Sequence, residues 1–304
     1  MGPEPRGVIA VVLNAGAGGG SGARAERDVR ERFAAAGRKV QVAVCRSGDE
    51  LLASARAALV DGCSVLVGGG GDGTLGGLAA LVADTTTPLG VLPLGTLNHF
   101  ARDLGIPLAL PEAIDVILNG HVAAVDVGEV NGRVFLNNSS LGVYPRVVRL
   151  RERLQRSGLA KWIAMLWASL TVLRRHPFVA LRLEVEGMTE LRRTPLVLVG
   201  NNAYRMEGLQ AASRPSLHEG RLAVYLMNAS HRRGLLRLAL TVVLRGPDAV
   251  PELETFSVTE LTVETRRRHT QVALDGEVVD FVTPLHYRIR PSALRVLVPD
   301  LTAP

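Results

Sequence analysis

Four consecutive glycines dictate the local structure at the centre of this chain's first half. They follow Ser64-Val-Leu-Val67 and precede Asp72-Gly73-Thr74-Leu75. The apolar run Val65–Val67 predicts a strand buried on both faces, and the small residues after Thr74 predict a helix start. Glycine has no Cβ and tolerates positive φ, so the run lets backbone N–H groups turn toward a ligand that comes close. Strand, glycine turn and helix together are how α/β proteins hold phosphate groups. Asp72 is the odd member, because a carboxylate repels phosphate unless a metal ion, a proton or a positioned hydroxyl offsets it. The loop therefore points to nucleotide chemistry rather than simple anion capture.

Two other readings of the loop can be weighed. Gly68, Gly70 and Gly73 fit G-x-G-x-x-G, but a dinucleotide site also needs an acid ending the next strand, about twenty residues on. Asp84 has nearly that spacing and falls at a helix end instead. No G-x-x-x-x-G-K-[ST] occurs, which excludes a P-loop NTPase.

Around this loop, strands and helices alternate. Val8–Leu13 reads as a strand, ending in a second glycine-rich turn, Asn14 to Gly22, before an amphipathic helix over 23–36. A strand over 40–44, a helix over 48–60 and a strand over 88–93 complete the pattern, the last ending at Leu94-Gly95-Thr96-Leu97-Asn98-His99. Such alternation predicts a doubly wound parallel sheet with the site at the strand C-terminal ends. The second half reads as β-rich, with strands over 179–186, 194–199, 222–227, 256–264, 271–274 and 287–290 and a closing strand over 294–298. Helical stretches over 146–175 and 231–244 interrupt it.

At 304 residues and 47% hydrophobic, the chain suits two domains with sizeable cores. Its net charge of +6 is almost all arginine, Lys39 and Lys161 being its lysines, and favours anionic partners. Aromatics are scarce and no zinc spacing, RNP-like or basic-region motif occurs, so a nucleic-acid partner is not expected. Two cysteines, Cys45 and Cys63, make no disulfide framework and point to a reducing compartment. There is no signal-peptide pattern, and the longest apolar stretch, Trp162–Leu173, is too short to span a bilayer. The expected location is the cytoplasm, with peripheral contact at the inner membrane face left open. Arg146, Arg149, Arg151 and Arg153 with Trp162 and Trp167 fit a basic membrane-facing helix, or equally a solvated helix face.

Several motifs in order resemble one family. Gly70-Gly-Asp-Gly-Thr74, Pro93-Leu-Gly-Thr-Leu-Asn-His-Phe-Ala-Arg102, Leu104-Gly-Ile-Pro107, Val125-Asp-Val-Gly128, Phe135-Leu-Asn-Asn-Ser-Ser-Leu-Gly142, His218-Glu-Gly-Arg-Leu222 and Asp275-Gly-Glu277 are similar to the bacterial diacylglycerol kinase-like lipid kinases. These are relatives of sphingosine kinases and, more distantly, of NAD kinases. The resemblance spans nearly the whole chain. It implies a nucleotide-binding domain over 1–127 and a β-sandwich-like lipid-binding domain over 128–304, whose last strand returns to the first domain. ATP and lipid would meet in the cleft between them.

The resemblance also assigns roles. Gly69, Gly70, Gly71, Gly73, Thr74 and Leu75 would cradle the ATP phosphates, with Gly95, Thr96 and Asn98 after the next strand and Asn14 and Gly18 flanking. Asp72 would act through Mg²⁺ or a bound hydroxyl. Glu277 matches the family's proton acceptor, supported by Asp275 and Asp126. The i, i+2 spacing of Asp275 and Glu277 places both on one side of an extended segment, where clustered carboxylates raise one another's pKa. Asp-Gly is equally a hairpin-turn signal, and a lone acid such as Asp126 at a strand end is often only solvated.

Four positions depart from the family pattern. Gly76-Gly77 stand where Asn-Glu is usual, and His99 stands where an Asp is common. Cys45 takes the place of a nucleotide-contacting threonine, and Glu219 that of an Asp in a Mg²⁺ turn. That turn would bind metal through the Glu219 carboxylate and the carbonyls of Ser216 and Arg221. The expected activity is ATP- and Mg²⁺-dependent phosphorylation of a lipid hydroxyl at a membrane surface, with a homodimer left open. A soluble-substrate kinase of NAD-kinase type and a non-catalytic nucleotide or lipid sensor are the other readings.

Overall fold

The computed structural model describes residues 7–17, 22–142, 145, 178–185, 187–207, 210–227 and 254–300. The helical stretches expected over 146–175 and 231–244, and the arginines and tryptophans of the first, lie outside the described residues. The chain forms two compact units, Met1–Val127 with Arg290–Pro304, and Gly128–Ile289.

The first unit runs β1 (Ile9–Asn14), α1 (Gly22–Ala35), β2 (Val40–Cys45), α2 (Gly48–Val60), β3 (Val65–Gly70), α3 (Asp72–Val82), β4 (Leu89–Pro93), α4 (His99–Asp103), α5 (Leu110–Asn119) and then β5 (His121–Val130), which carries the chain on. Strands β2, β1, β3 and β4 lie side by side in that order, all parallel. Their apolar runs are buried along almost their whole length, as expected for strands covered on both faces. Helices α1 and α5 pack against each other, as do α2 and α3, so the sheet is wound on two faces. Leu13, Phe33, Leu66, Leu78, Leu89 and Ile114 are fully buried between the layers.

The second unit is antiparallel. After β5 come β6 (Arg133–Phe135), β7 (Asn138–Gly142), β8 (Val179–Val185), β9 (Met188–Thr194), β10 (Leu196–Asn201), β11 (Arg205–Glu207), β12 (Gln210–Ser213), β13 (Leu222–Leu226), β14 (Glu254–Val258), β15 (Glu260–Thr265), β16 (His269–Leu274), β17 (Glu277–Val282) and β18 (Leu285–Val298). One sheet has the order β14-β13-β10-β7-β16-β17; in another, β15 joins the first half of β18 to β8 and β9. Phe135, Leu141, Val199, Val224, Val263, Val272 and Leu285, drawn from both sheets, share one apolar core, which makes this unit sandwich-like.

The expected strand over 256–264 is two strands, with Thr259 turning the chain between them. The two expected strands over 287–290 and 294–298 are one, β18, irregular at Pro291-Ser292, where Ser292 has φ 51°. Beyond that point β18 belongs to the first unit, where Val296 pairs with Leu89 of β4. The return is pinned by an Arg290–Asp84 ion pair and by a bond from the Asp84 N–H to the Ala293 carbonyl. Among the described residues no helix is long and apolar enough to cross a membrane.

Gly120 tests this return strand. A Cβ there would strike the backbone oxygens of Val298 and Val116, neither of which can rotate away. Gly120→Ala should destabilise the chain by roughly 2 kcal/mol or more, a melting-point loss of several degrees by calorimetry. An unchanged melting point would mean that Val298 is not packed there.

Candidate functional site

The glycine-rich loops lie at the C-terminal edge of the parallel sheet in the first unit. Strand β3 continues through Gly68 to Gly70, and α3 starts at Asp72, with Gly71 as its N-cap. Asp72 is therefore in the first helical turn rather than mid-loop. None of these glycines has positive φ. They are needed for space: a Cβ on Gly70 would press on Thr74, and one on Gly95 would collide with the Cα of Gly71. Two backbones thus meet with no side chain between them.

The start of α3 carries no side-chain cap. Leu75 N–H bonds to the Gly71 carbonyl at 3.0 Å, so its helical bonding begins there. Its side chain is fully buried, making Leu75 a core residue. The first-turn amides before it have no intrahelical acceptor, and the helix dipole adds positive potential. This is an anion-binding end, flanked by a second loop.

That second loop is tied to the first by Asp72. Its Oδ2 accepts the His99 N–H at 3.2 Å and its Oδ1 the Phe100 N–H at 3.0 Å. Asn98, in the left-handed region at φ 52°, closes the turn by donating Nδ2 to the carbonyls of Pro93 (3.2 Å) and Gly95 (3.0 Å). Asn98 is 5% exposed and so frames the loop, whereas Thr96 and the His99 side chain are exposed. Asn14 joins from β1, donating to the Thr74 hydroxyl at 3.3 Å and accepting the Gly16 N–H at 3.0 Å. The Cys45 thiol is buried against the Ser54 hydroxyl, 3.6 Å away, and its carbonyl accepts the Ala15 N–H. Gly18 lies outside the described residues.

Asp126 is neither at a strand end nor solvated. It sits inside β5, 1% exposed, and its Oδ1 accepts the Ser292 N–H at 2.8 Å. The irregularity in β18 is what turns that amide toward it.

The second unit holds the other acids. Asp275 and Gly276 are the two-residue turn between β16 and β17, with φ of 47° and 91°. Positive φ at both positions is the requirement of the tight hairpin turn, so the extended segment expected there is not formed. The Asp275 carboxylate instead accepts three successive backbone N–H groups, from Leu136 (2.8 Å), Asn137 (2.8 Å) and Asn138 (3.1 Å). Burial pushes its pKa up to about 6, against the pull of those three bonds and of Arg214. Desolvation, not a neighbouring carboxylate, is the cause. Glu277, two residues on, opens β17 and is exposed.

Arg214 is a residue that sequence reading missed. It is 4% exposed and donates to the carbonyls of Leu136 (2.5 Å) and Asn201 (3.1 Å) and to Asn137 Oδ1 (2.9 Å). With Asn201, whose Nδ2 also reaches the Leu136 carbonyl at 2.8 Å, it holds the 136–138 loop by its acceptors, as Asp275 holds it by its amides. A single arginine in an irregular segment gives no sequence signal for such a role.

In the loop 216–221, Glu219 accepts the Ala203 N–H at 3.3 Å, and the Arg221 carbonyl accepts the Asn202 N–H at 3.1 Å. The Ser216 hydroxyl accepts the His218 N–H. Beside them Asn202 is fully buried at φ 66°, and its side-chain oxygen and nitrogen have no hydrogen-bond partner among the described residues. Among the described residues no three His, Cys, Asp or Glu side chains cluster as metal ligands.

The raised Asp275 pKa makes a signed prediction. The folded state holds the proton more tightly than the unfolded chain, so this group's contribution to stability is full below pH 3.8 and lost as pH rises through about 6. Melting curves of wild type and Asp275→Asn should therefore diverge across that window, wild type gaining relative stability as pH falls. Parallel curves would show that Asp275 titrates normally.

The family model described as "Diacylglycerol kinase catalytic domain" matches residues 8–130, and the "YegS C-terminal NAD kinase beta sandwich-like domain" matches 138–298. A diacylglycerol kinase of Mycobacterium tuberculosis is 32% identical over 257 residues, 80% of this chain and 79% of that one. A Synechocystis protein is 25% identical over 244 residues, and there the match spans 79% of this chain but only 56% of the relative's length. The crystal structure of a diacylglycerol kinase from Bacillus anthracis shares the fold, with TM-score 0.71, 20% identity and 98% of each chain covered. With both halves of the chain matched in order, the chain belongs to the diacylglycerol kinase-like family of lipid kinases.

Proposed function

We propose that this protein transfers the γ-phosphoryl group of ATP to the hydroxyl of diacylglycerol or a closely related lipid, with Mg²⁺ accompanying the nucleotide. ATP as donor follows from membership of a kinase family. The observation that carries the reading is the uncapped start of α3, against which Gly95 packs so closely that it admits no side chain there. Such an end can take phosphate oxygens on backbone amides.

Phosphoryl transfer asks the protein mainly for positioning and charge stabilisation. The first-turn amides of α3 and the exposed Thr96 would hold the phosphates. With its two backbone amide partners, Asp72 would keep the 95–100 loop in register with α3. Mg²⁺ bound through the phosphates needs only one or two protein carboxylates; Asp72, in the first turn of α3, would offer one, and the ion would neutralise charge on the transferred group. The unpartnered Asn202 side chain fits a second, structural ion in the 216–221 loop, held by Glu219 and the Ser216 and Arg221 carbonyls.

On the acceptor side, Glu277 is the base. As the lipid oxygen attacks the γ-phosphorus, its proton passes to the Glu277 carboxylate and the bond to ADP breaks. Asp275 cannot fill that role easily, because its oxygens are engaged by three amides; it fixes the hairpin from which Glu277 projects.

Glu277→Gln should lower kcat by 10²–10⁴-fold while leaving the ATP dissociation constant unchanged. Radiolabel from γ-labelled ATP should appear in diacylglycerol presented in mixed micelles with ceramide, sphingosine and monoacylglycerol alongside. Label in NAD or a soluble polyol alone would replace the lipid acceptor with a soluble one. Full activity of Glu277→Gln would remove Glu277 as base.

A further inference from the structure

The second unit contains a cavity of about 660 Å³ at the end of the β16–β17 hairpin away from Asp275. Its walls come from the start of β8, the end of β9, the turn after β15 and the paired strands β16 and β17, so residues far apart in sequence line one space. Four of them are basic: Arg193, Arg266, Arg267 and His269; one, Asp280, is acidic. Among the described residues no carboxylate forms an ion pair with Arg193, Arg266 or Arg267. By contrast, neighbouring arginines are matched, Arg182 by Glu264 at 3.6 Å and Arg192 by Glu190 at 2.8 Å and Glu254 at 3.2 Å.

Three arginines and a histidine outnumber the one carboxylate in this cavity, and an anion in their midst relieves their mutual repulsion. The cavity is within the range of small-ligand sites, roughly 300–1,000 Å³. Arginine's planar fork suits phosphate, which it can grip with two parallel N–H bonds. The Arg193 guanidinium lies 5.1 Å from the Phe178 ring centroid, a stacking contact that holds it ready at the cavity wall. Thr270 and Gln271 add neutral hydrogen-bonding groups on the same wall. Along the hairpin, Gln271 stands opposite Asp280 while Leu274 stands opposite Glu277. Three residues of strand separate these pairs, about 10 Å. The cavity is therefore offset from the base, at the far end of the strands that carry it.

We infer that this cavity is an anion site for a phosphate ester, one that does not undergo phosphoryl transfer. The chemistry is that of a phosphate group on a small organic body. A phospholipid headgroup and a soluble phosphate monoester both present it. The inference goes beyond the kinase reading, since none of these residues belongs to the loops assigned to ATP or to the base, and it stands if the acceptor proves not to be a lipid.

The test is binding, measured on the full chain without turnover. Isothermal titration with inorganic phosphate and with glycerol 1-phosphate forms one arm. Flotation with phosphatidylglycerol vesicles, and with phosphatidylcholine vesicles as the neutral comparison, forms the other. Arg193→Gln, Arg266→Gln and Arg267→Gln are compared with wild type, each first checked for an unchanged melting point. Arg182→Gln, whose parent is already paired, serves as the control. Loss of about fivefold in affinity for each cavity arginine removed, with Arg182→Gln unaffected and binding weakened by salt, supports the site. Binding of the soluble phosphates identifies a free ligand; binding confined to phosphatidylglycerol vesicles identifies a headgroup. No binding in either arm, or equal losses in Arg182→Gln and the cavity variants, overturns it.

Discussion

Gly71 and Gly95 approach so closely that a single methyl on the second would overlap the backbone of the first. The arrangement of the glycine-rich loops in the first unit depends on that contact. It holds the loop after β4 against the start of α3, whose N-cap, Gly71, offers the first amides no side-chain acceptor. Asp72 then fixes the register, with one carboxylate oxygen on each of two successive amides of the adjoining loop. This arrangement answers the puzzle of an acid beside phosphates. Much of its charge is directed into backbone N–H groups, so it organises the loop.

The second unit applies the same device with the roles of helix and hairpin exchanged. Asp275 draws three successive amides of the 136–138 loop onto one carboxylate, and Arg214 and Asn201 hold that loop by its carbonyls. A buried acid and a buried cation each bonded to backbone are far less costly than either would be unpaired. The result is a rigid turn from which Glu277 emerges into solvent. Asp126 follows the same rule, its position set by an amide of the returning strand.

Much of this was readable from the chain. The parallel sheet followed from apolar runs such as Val65–Val67 and from glycine turns at their ends. The Asp-Gly hairpin turn was among the readings of 275–276, and its local turn chemistry prevailed over the extended alternative. What escaped was set by contacts distant in sequence. Asp126 looked like a solvated acid because Ser292, its partner, lies 166 positions away. Arg214 carried no pattern, since its targets are carbonyls that any residue supplies. The break between β14 and β15 at Thr259 was hidden by β-branched residues that favour strand on both sides. Of the two reasons for the glycine run, close backbone approach and tolerance of positive φ, the structure uses the first.

The most direct test of the account is ATP affinity in Gly95→Ala, measured by isothermal titration with Mg²⁺ present and with the melting temperature followed in parallel. A Cβ at this position pries the two loops apart and displaces the amides without removing a charge or a hydrogen-bonding side chain. The account predicts at least a tenfold loss of ATP affinity, the equivalent of about one charge-assisted hydrogen bond, with the chain still folded. Unaltered affinity in the folded variant would contradict it and place the phosphates elsewhere.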